Sequence, residues 1–208
     1  MGNKLYPIGI QSFEKLRNDG YLYIDKTALI YKLVKTGSYY FLSRPRRFGK
    51  SLLISTLEAY FQGKKELFDG LAIAGLEKDW VQYPILHIDL NISKYDSAQD
   101  LDDILNDYLT NWEALYGAAP SETSLALRFK GVVKRACEKT GQRVVILVDE
   151  YDKPMLQAIG NEELGEKYRD TLKGFYSVLK TMDGYIRFAL LTGVTKFGKV
   201  SVFSDLNN

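Results

Sequence analysis

The chain has 208 residues, 46% of them hydrophobic and 26% charged, with a formal charge of +2. That mixture supplies an apolar core and excludes a disordered chain, and the near-neutral balance excludes a globally basic polyanion binder, so a nucleic-acid contact would have to come from a local patch. A single cysteine, Cys137, excludes an intrachain disulfide and a cysteine metal cage; a single histidine, His87, excludes histidine-rich zinc sites.

The start, "MGNKLYPIGIQSF", lacks the apolar stretch of a signal peptide, and no apolar run is long enough for a membrane span. A reducing, cytoplasmic setting with no membrane partner is expected. "FEKLRNDG" (13–20) and "DKTALIYKLVKTG" (25–37) read as short helical pieces, so residues 1–38 form a helical lead-in. "SYYFLS" (38–43) is the first core strand and "SLLISTLEAYF" (51–61) the helix after it, closed near Gly63. "YPILHIDL" (83–90) is a second strand, in which His87 reads as a packed strand residue.

In "LDDILNDYLTNWEALYG", Leu101, Ile104, Leu105, Tyr108, Trp112 and Leu115 recur at helical spacing and predict one core-facing stripe. "SETSLALRFKGVVKRACEKTG" predicts another helix, capped by Ser121 or Thr123 and closed by Gly141. "RVVILVDE" (143–150) is a continuous β-branched and leucine run, as buried parallel strands are. A helix through "ELGEKYRDTLKGFYSVLKTM" follows, with Leu164, Tyr168, Leu172, Phe175, Leu179 and Met182 on one side, and "GYIRFALLTG" (184–193) is the fourth strand. Alternating strands and helices from residue 39 predict an α/β core with a mainly parallel sheet in a single domain over 1–208. The tail "VFSDLNN" has no apolar closure, so the domain is expected to be truncated within a longer protein.

Three strand ends carry chemistry. In "FLSRPRRFGKSLL", Gly49-Lys50-Ser51 lies between a strand and a helix, the setting of a phosphate-binding loop. Such a loop presents backbone N–H groups, a lysine and a hydroxyl to phosphate and Mg²⁺ at a helix N-terminus. The usual spacing puts its first glycine at position 44, where this chain has Arg44; Pro45 fixes a turn-like φ, and Arg46 and Arg47 add charge. The segment also reads as a basic surface turn, or as a nucleic-acid contact through Arg44, Arg46, Arg47 and Lys50, although Phe48 is its only aromatic residue. After the third strand, Asp149 and Glu150 suit a Mg²⁺ ligand and a residue that polarises water, or a plain pair of helix-start acids. Thr192, ending the fourth strand, suits a γ-phosphate sensor or an ordinary Thr-Gly turn. The carboxyl edge of a parallel sheet is where such folds bind ligands.

"LYPIGIQSFEKLRNDGYLYIDKTALI", "FLSRPRRFGKSLLISTLEAYF", "ILVDEYDKP" and "TGVTKFGKVSVFSDLNN" together resemble the bacterial AAA-ATPase-like family. The resemblance implies a P-loop NTPase three-layer sandwich of AAA/STAND-like type that binds ATP and Mg²⁺ and hydrolyses ATP in the full-length, oligomeric protein. It implies a loop from Arg44 through Pro45, Arg46, Arg47, Phe48, Gly49, Lys50 and Ser51 to Leu52, with Lys50 on the phosphates. It further implies Ser51 and Asp149 at Mg²⁺, Glu150 as catalytic base and Thr192 as sensor; the Asp25-Lys26-Thr27 segment belongs to the family pattern, with no firm role implied for Asp25. Family members usually carry a PD-(D/E)XK nuclease-like domain, which here would lie beyond Asn208 and supply any nucleic-acid contact. A non-hydrolysing scaffold or regulatory module is the alternative, on the strength of Arg44.

Overall fold

The β-branched runs do pair with one another, and the helical stretches between them carry the chain back over the sheet. The computed structural model describes residues 5–195, so the sequence from 196 to Asn208 quoted for the resemblance lies outside the described residues. In chain order the elements are α1 (Phe13–Asn18), α2 (Thr27–Thr36), β1 (Tyr39–Ser43), α3 (Lys50–Phe61), α4 (Ala72–Leu76) and β2 (Ile85–Asp89). They continue with α5 (Ala98–Tyr116), α6 (Leu125–Thr140), β3 (Val144–Asp149), α7 (Lys153–Gln157), α8 (Glu162–Thr181) and β4 (Ile186–Gly193). The sheet is parallel throughout, in the order β1-β4-β3-β2. The α/β fold with a parallel sheet is therefore as expected, and it is that of a P-loop NTPase-like domain.

Alternation along β3 divides the core in two. Val144, Ile146 and Val148 join Leu105, Phe129, Val132, Leu172 and Phe175 under α5, α6 and α8, while Val145 and Leu147 join Ile54, Leu57, Phe61 and Phe188 under α3 and the N-terminal helices. Helices thus cover both faces, which is why β3 is buried along its whole length. In β4 the alternation breaks once: Val144 pairs with Ile186 and Val145 with Phe188, so Arg187 is the extra residue of a bulge. Its guanidinium donates to the Val34 carbonyl at 2.9 Å, tying α2 to the sheet.

Several boundaries shift for local reasons. The cap of α6 is Ser124, whose Oγ accepts from Leu127 N, rather than Ser121 or Thr123; Glu122 in that turn is instead engaged by Arg135 through two bonds of 2.6 and 2.8 Å. On α5, Leu109 is buried whereas Leu115 is 60% exposed, because the last turn of the helix runs past the core. Residues 184 and 185, expected in the fourth strand, belong instead to a 3₁₀ turn (Asp183–Tyr185) closed by Tyr185 N on Met182 O. The short helices α4 and α7 have no apolar period to announce them.

Candidate active site at the carboxyl edge of the sheet

The loop from β1 to α3 is shaped by two left-handed residues. Gly49 is the N-cap of α3 at φ 76°, and its carbonyl accepts the first helical bond, from Leu53 N at 2.9 Å. Arg47 has φ 66°, an uncommon conformation for a residue with a Cβ. Arg44 has no positive φ. The position where a glycine was expected therefore makes no conformational demand for one, and the left-handed turn falls three residues later. Arg44 instead fixes the loop through its backbone, donating its N–H to Gly193 O at 3.0 Å.

Lys50 opens α3 and is only 5% exposed. Its ammonium lies 3.1 Å from Glu150 Oε1 and donates to Arg44 O at 3.2 Å and Pro45 O at 3.4 Å, so it bridges the loop and the acidic strand end. Ser51 is half-buried on the first turn, while Arg44, Pro45, Arg46, Arg47 and Phe48 are exposed. Glu150 lies just past the end of β3 at φ 52°, which turns it out of the strand direction. Asp149, 4% exposed, accepts from Thr192 Oγ1 at 2.5 Å and from Glu150 N at 3.1 Å.

Topology explains the Asp149–Thr192 contact. β4 lies between β1 and β3, so Thr192, the last residue but one of that strand, falls between the loop and the acids. Leu42 is in register with Thr192 and Ser43 with Gly193, which brings the start of the loop to the same level. The structure thus brings Lys50 to Glu150, and Asp149 to Thr192, across three neighbouring strands.

A pocket of about 580 Å³ adjoins the loop, lined by Phe48, Gly49 and Leu52 on one side and by Tyr6, Pro7, Ile24 and Leu29 on the other. Asp25 belongs to the same segment, but its carboxylate accepts from Thr27 N, Thr27 Oγ1 and Ala72 N at 2.6–2.8 Å. Burial would raise its pKa, and these donors outweigh that and lower it. Asp25 is a joint between α2 and α4; its neighbours Ile24 and Lys26 line the pocket.

A family model described as AAA-ATPase-like, "Predicted AAA-ATPase", matches residues 7–203. The chain belongs to the AAA-ATPase-like family. It is also 45% identical over 210 residues to an "Uncharacterized protein in vnfD 5'region" of Azotobacter chroococcum mcd 1, with all of this chain aligned. The chain spans 40% of that relative's length. Membership of the AAA-ATPase-like family implies a nucleotide-binding domain, and among the described residues no helix is long and apolar enough to cross a membrane.

Sequence reasoning on this AAA-ATPase-like chain missed the pocket, whose lining comes from scattered N-terminal residues without a spacing of their own. It also passed over Tyr151 and Asp152, although "DEYD" was in view. Both are fully buried, and Asp152 accepts from Val194 N, Thr195 N and Thr195 Oγ1. The visible signal was a third acid, three residues after Asp149, in a loop where an acid is ordinarily solvated.

Proposed function

We propose that this domain binds ATP with Mg²⁺ at the carboxyl edge of the sheet and, in the longer protein to which it belongs, hydrolyses it. The observation that carries this reading is the buried Lys50 ammonium, held at a helix N-terminus by one carboxylate and two loop carbonyls. A lysine so placed has exchanged water for protein oxygens, and a phosphate offers stronger, fully charged acceptors in the same space. Lys50 would then leave Glu150 for the β- and γ-phosphates, and the N–H groups of the loop and of the first turn of α3 would take the remaining oxygens. Glu150, released from the ion pair, is the group to orient and deprotonate the attacking water. Thr192 senses the terminal phosphate from between the two.

The donor set fits a divalent cation that arrives with the nucleotide. Among the described residues no three His, Cys, Asp or Glu side chains gather into a metal cluster, so Ser51 and Asp149 would share the ion with phosphate oxygens, as Mg²⁺ sites commonly do. When bound, the ion supplies neutralisation of the charge that develops on the phosphates. The apolar pocket beside Phe48 and Leu52 receives the base. Arg44 gives little support to a degenerate loop, since its φ is not in the left-handed region that would call for glycine. Assembly into a homo-oligomer, and nucleic-acid contact through a further domain, belong to the longer protein and are part of the same proposal.

Thermal denaturation with and without Mg²⁺-ATP tests the reading. Ligand at 100 times Kd stabilises by about 2.7 kcal/mol, which for a chain of this size raises Tm by roughly 5–11 °C. Lys50→Ala is expected to abolish most of that rise; an equal rise in the variant would overturn the assignment.

A further inference from the structure

Asp152 is a buried carboxylate that the proposed chemistry does not use. It is 0% exposed. An anion so placed persists only where hydrogen-bond donors replace water. It occupies the N-cap of α7, where aspartate ordinarily accepts from its own helix, yet it makes no such bond. Its donors come instead from the residues that follow Thr192. Oδ2 accepts from Val194 N at 3.0 Å, Thr195 N at 2.6 Å and Thr195 Oγ1 at 2.7 Å, and Oδ1 lies 3.2 Å from Val194 N.

The same four residues, 192–195, are fastened from both sides. Their carbonyls accept from the β1 side, Arg44 N on Gly193 O at 3.0 Å and Ser43 Oγ on Val194 O at 3.0 Å. From the β3 side, Tyr151 N donates to Thr192 O at 2.9 Å and Tyr151 Oη to Thr195 O at 2.7 Å. Gly193 is hemmed in so closely that a Cβ there would run into the Tyr151 ring and come within 2.7 Å of Asp152 Oδ1. The N–H groups of Val194 and Thr195 go to Asp152, while the carbonyls of Gly193 and Val194 hold Arg44 at the start of the loop and Ser43 at the end of β1.

We propose that Asp152 is a positioning residue, a buried anion that fixes the 192–195 segment and through it sets Thr192 and the Arg44 end of the loop relative to Asp149 and Glu150. This rests on the nucleotide reading for its catalytic consequence, but the mechanical link does not. Removing the carboxylate leaves three donor groups, Val194 N, Thr195 N and Thr195 Oγ1, without acceptors, so the segment loosens and the loop loses its backing. Asparagine keeps an oxygen where Oδ2 stands, and with it the three shortest bonds.

Amide hydrogen exchange on the nucleotide-free protein tests the link. Asp152→Ala is expected to speed exchange by about 10-fold or more at Val194 and Thr195, and also at Arg44 and Tyr151, which the carboxylate does not touch. Asp152→Asn should restore most of the protection. Faster exchange at 194 and 195 with Arg44 and Tyr151 unchanged would overturn the proposal. If Asp152→Ala does not fold, Thr195→Val, which removes one donor alone, must show the same joint rise at smaller amplitude, and its absence overturns the proposal equally. Where the parent hydrolyses ATP, Asp152→Ala should lower kcat by about 10- to 100-fold with KM nearly unchanged. Glu113→Gln, which breaks a remote ion pair with Arg128, controls for simple loss of stability. A kcat loss no larger than in that control refutes the positioning role. A parent that neither binds nor hydrolyses ATP refutes the nucleotide reading and leaves the exchange result to decide the link.

Discussion

Replacing Arg44 and Arg47 by glycine, one at a time, asks which residue of the loop carries the left-handed turn. A phosphate loop of ordinary spacing would want glycine at 44, so Arg44→Gly should relieve strain if the chain were a degraded copy of that pattern. The structure predicts the opposite, because φ is positive at Arg47 (66°) and not at Arg44. A side chain in the left-handed region costs about 1–2 kcal/mol, whereas glycine adds about 0.5–1 kcal/mol of unfolded-chain entropy. Arg47→Gly is therefore expected to gain about 0.5–1 kcal/mol, the difference between those terms, and Arg44→Gly to lose about 0.5–1 kcal/mol. Both arginines are exposed and both substitutions remove one positive charge from the same patch, so the change in charge largely cancels in the comparison. Urea denaturation at constant m reads the pair as midpoints displaced to opposite sides of the parent; in Tm the separation is about 2–8 °C. A stabilised Arg44→Gly with a destabilised Arg47→Gly would refute the reasoning and return the turn to position 44.

Two further expectations concern groups on either side of the sheet. Glu150→Gln in the full-length protein should keep Mg²⁺-ATP binding and lower kcat by about 100-fold or more; retained turnover counts against its role as base. His87 lies 3.2 Å from Glu58 Oε2 across β2 and α3; burial would lower its pKa, but the hydrogen bond and charge of Glu58, with Asp89 and Asp149 behind, raise it above 6.5. With the folded value raised, the pair contributes its full stability below the unfolded pKa of about 6.5 and loses it as pH rises through the folded value. The sole imidazole resonance in the proton NMR spectrum reports that pKa directly, and Glu58→Gln should lower it; a parent value below 6.5 would refute the assignment.

Much of the site could be read in the chain because its parts sit at strand ends, and strand ends are marked by composition. The β-branched run before Asp149, the apolar run before Thr192 and the Gly49-Lys50-Ser51 string each announced where a polar group leaves the sheet. Glu150 was legible as an acid after a strand, but not as the partner of Lys50, since that ion pair joins residues a hundred positions apart. Arg44 was misjudged for a related reason. Spacing counts residues, whereas the turn is set by φ at each one, and the backbone relocated its left-handed residue to Arg47. The pocket went unseen because its walls come from segments with no shared period, and the α4 and α7 turns because five residues are too few to show one.

Hydrophobic periodicity and the residues that interrupt it, by themselves, determined the order of strands and helices, the parallel α/β class and the edge of the sheet where the candidate site lies. These are local properties: whether a run buries both faces, and where it stops, is written in neighbouring residues. Only the tertiary structure decided which strands lie side by side. Threading β4 between β1 and β3 is what puts Thr192 on Asp149, Lys50 against Glu150, and the donors after Gly193 onto Asp152. Each of those contacts depends on how the crossovers place distant segments, a choice made by packing helices on both faces of the sheet at once, which no single stretch of the chain contains.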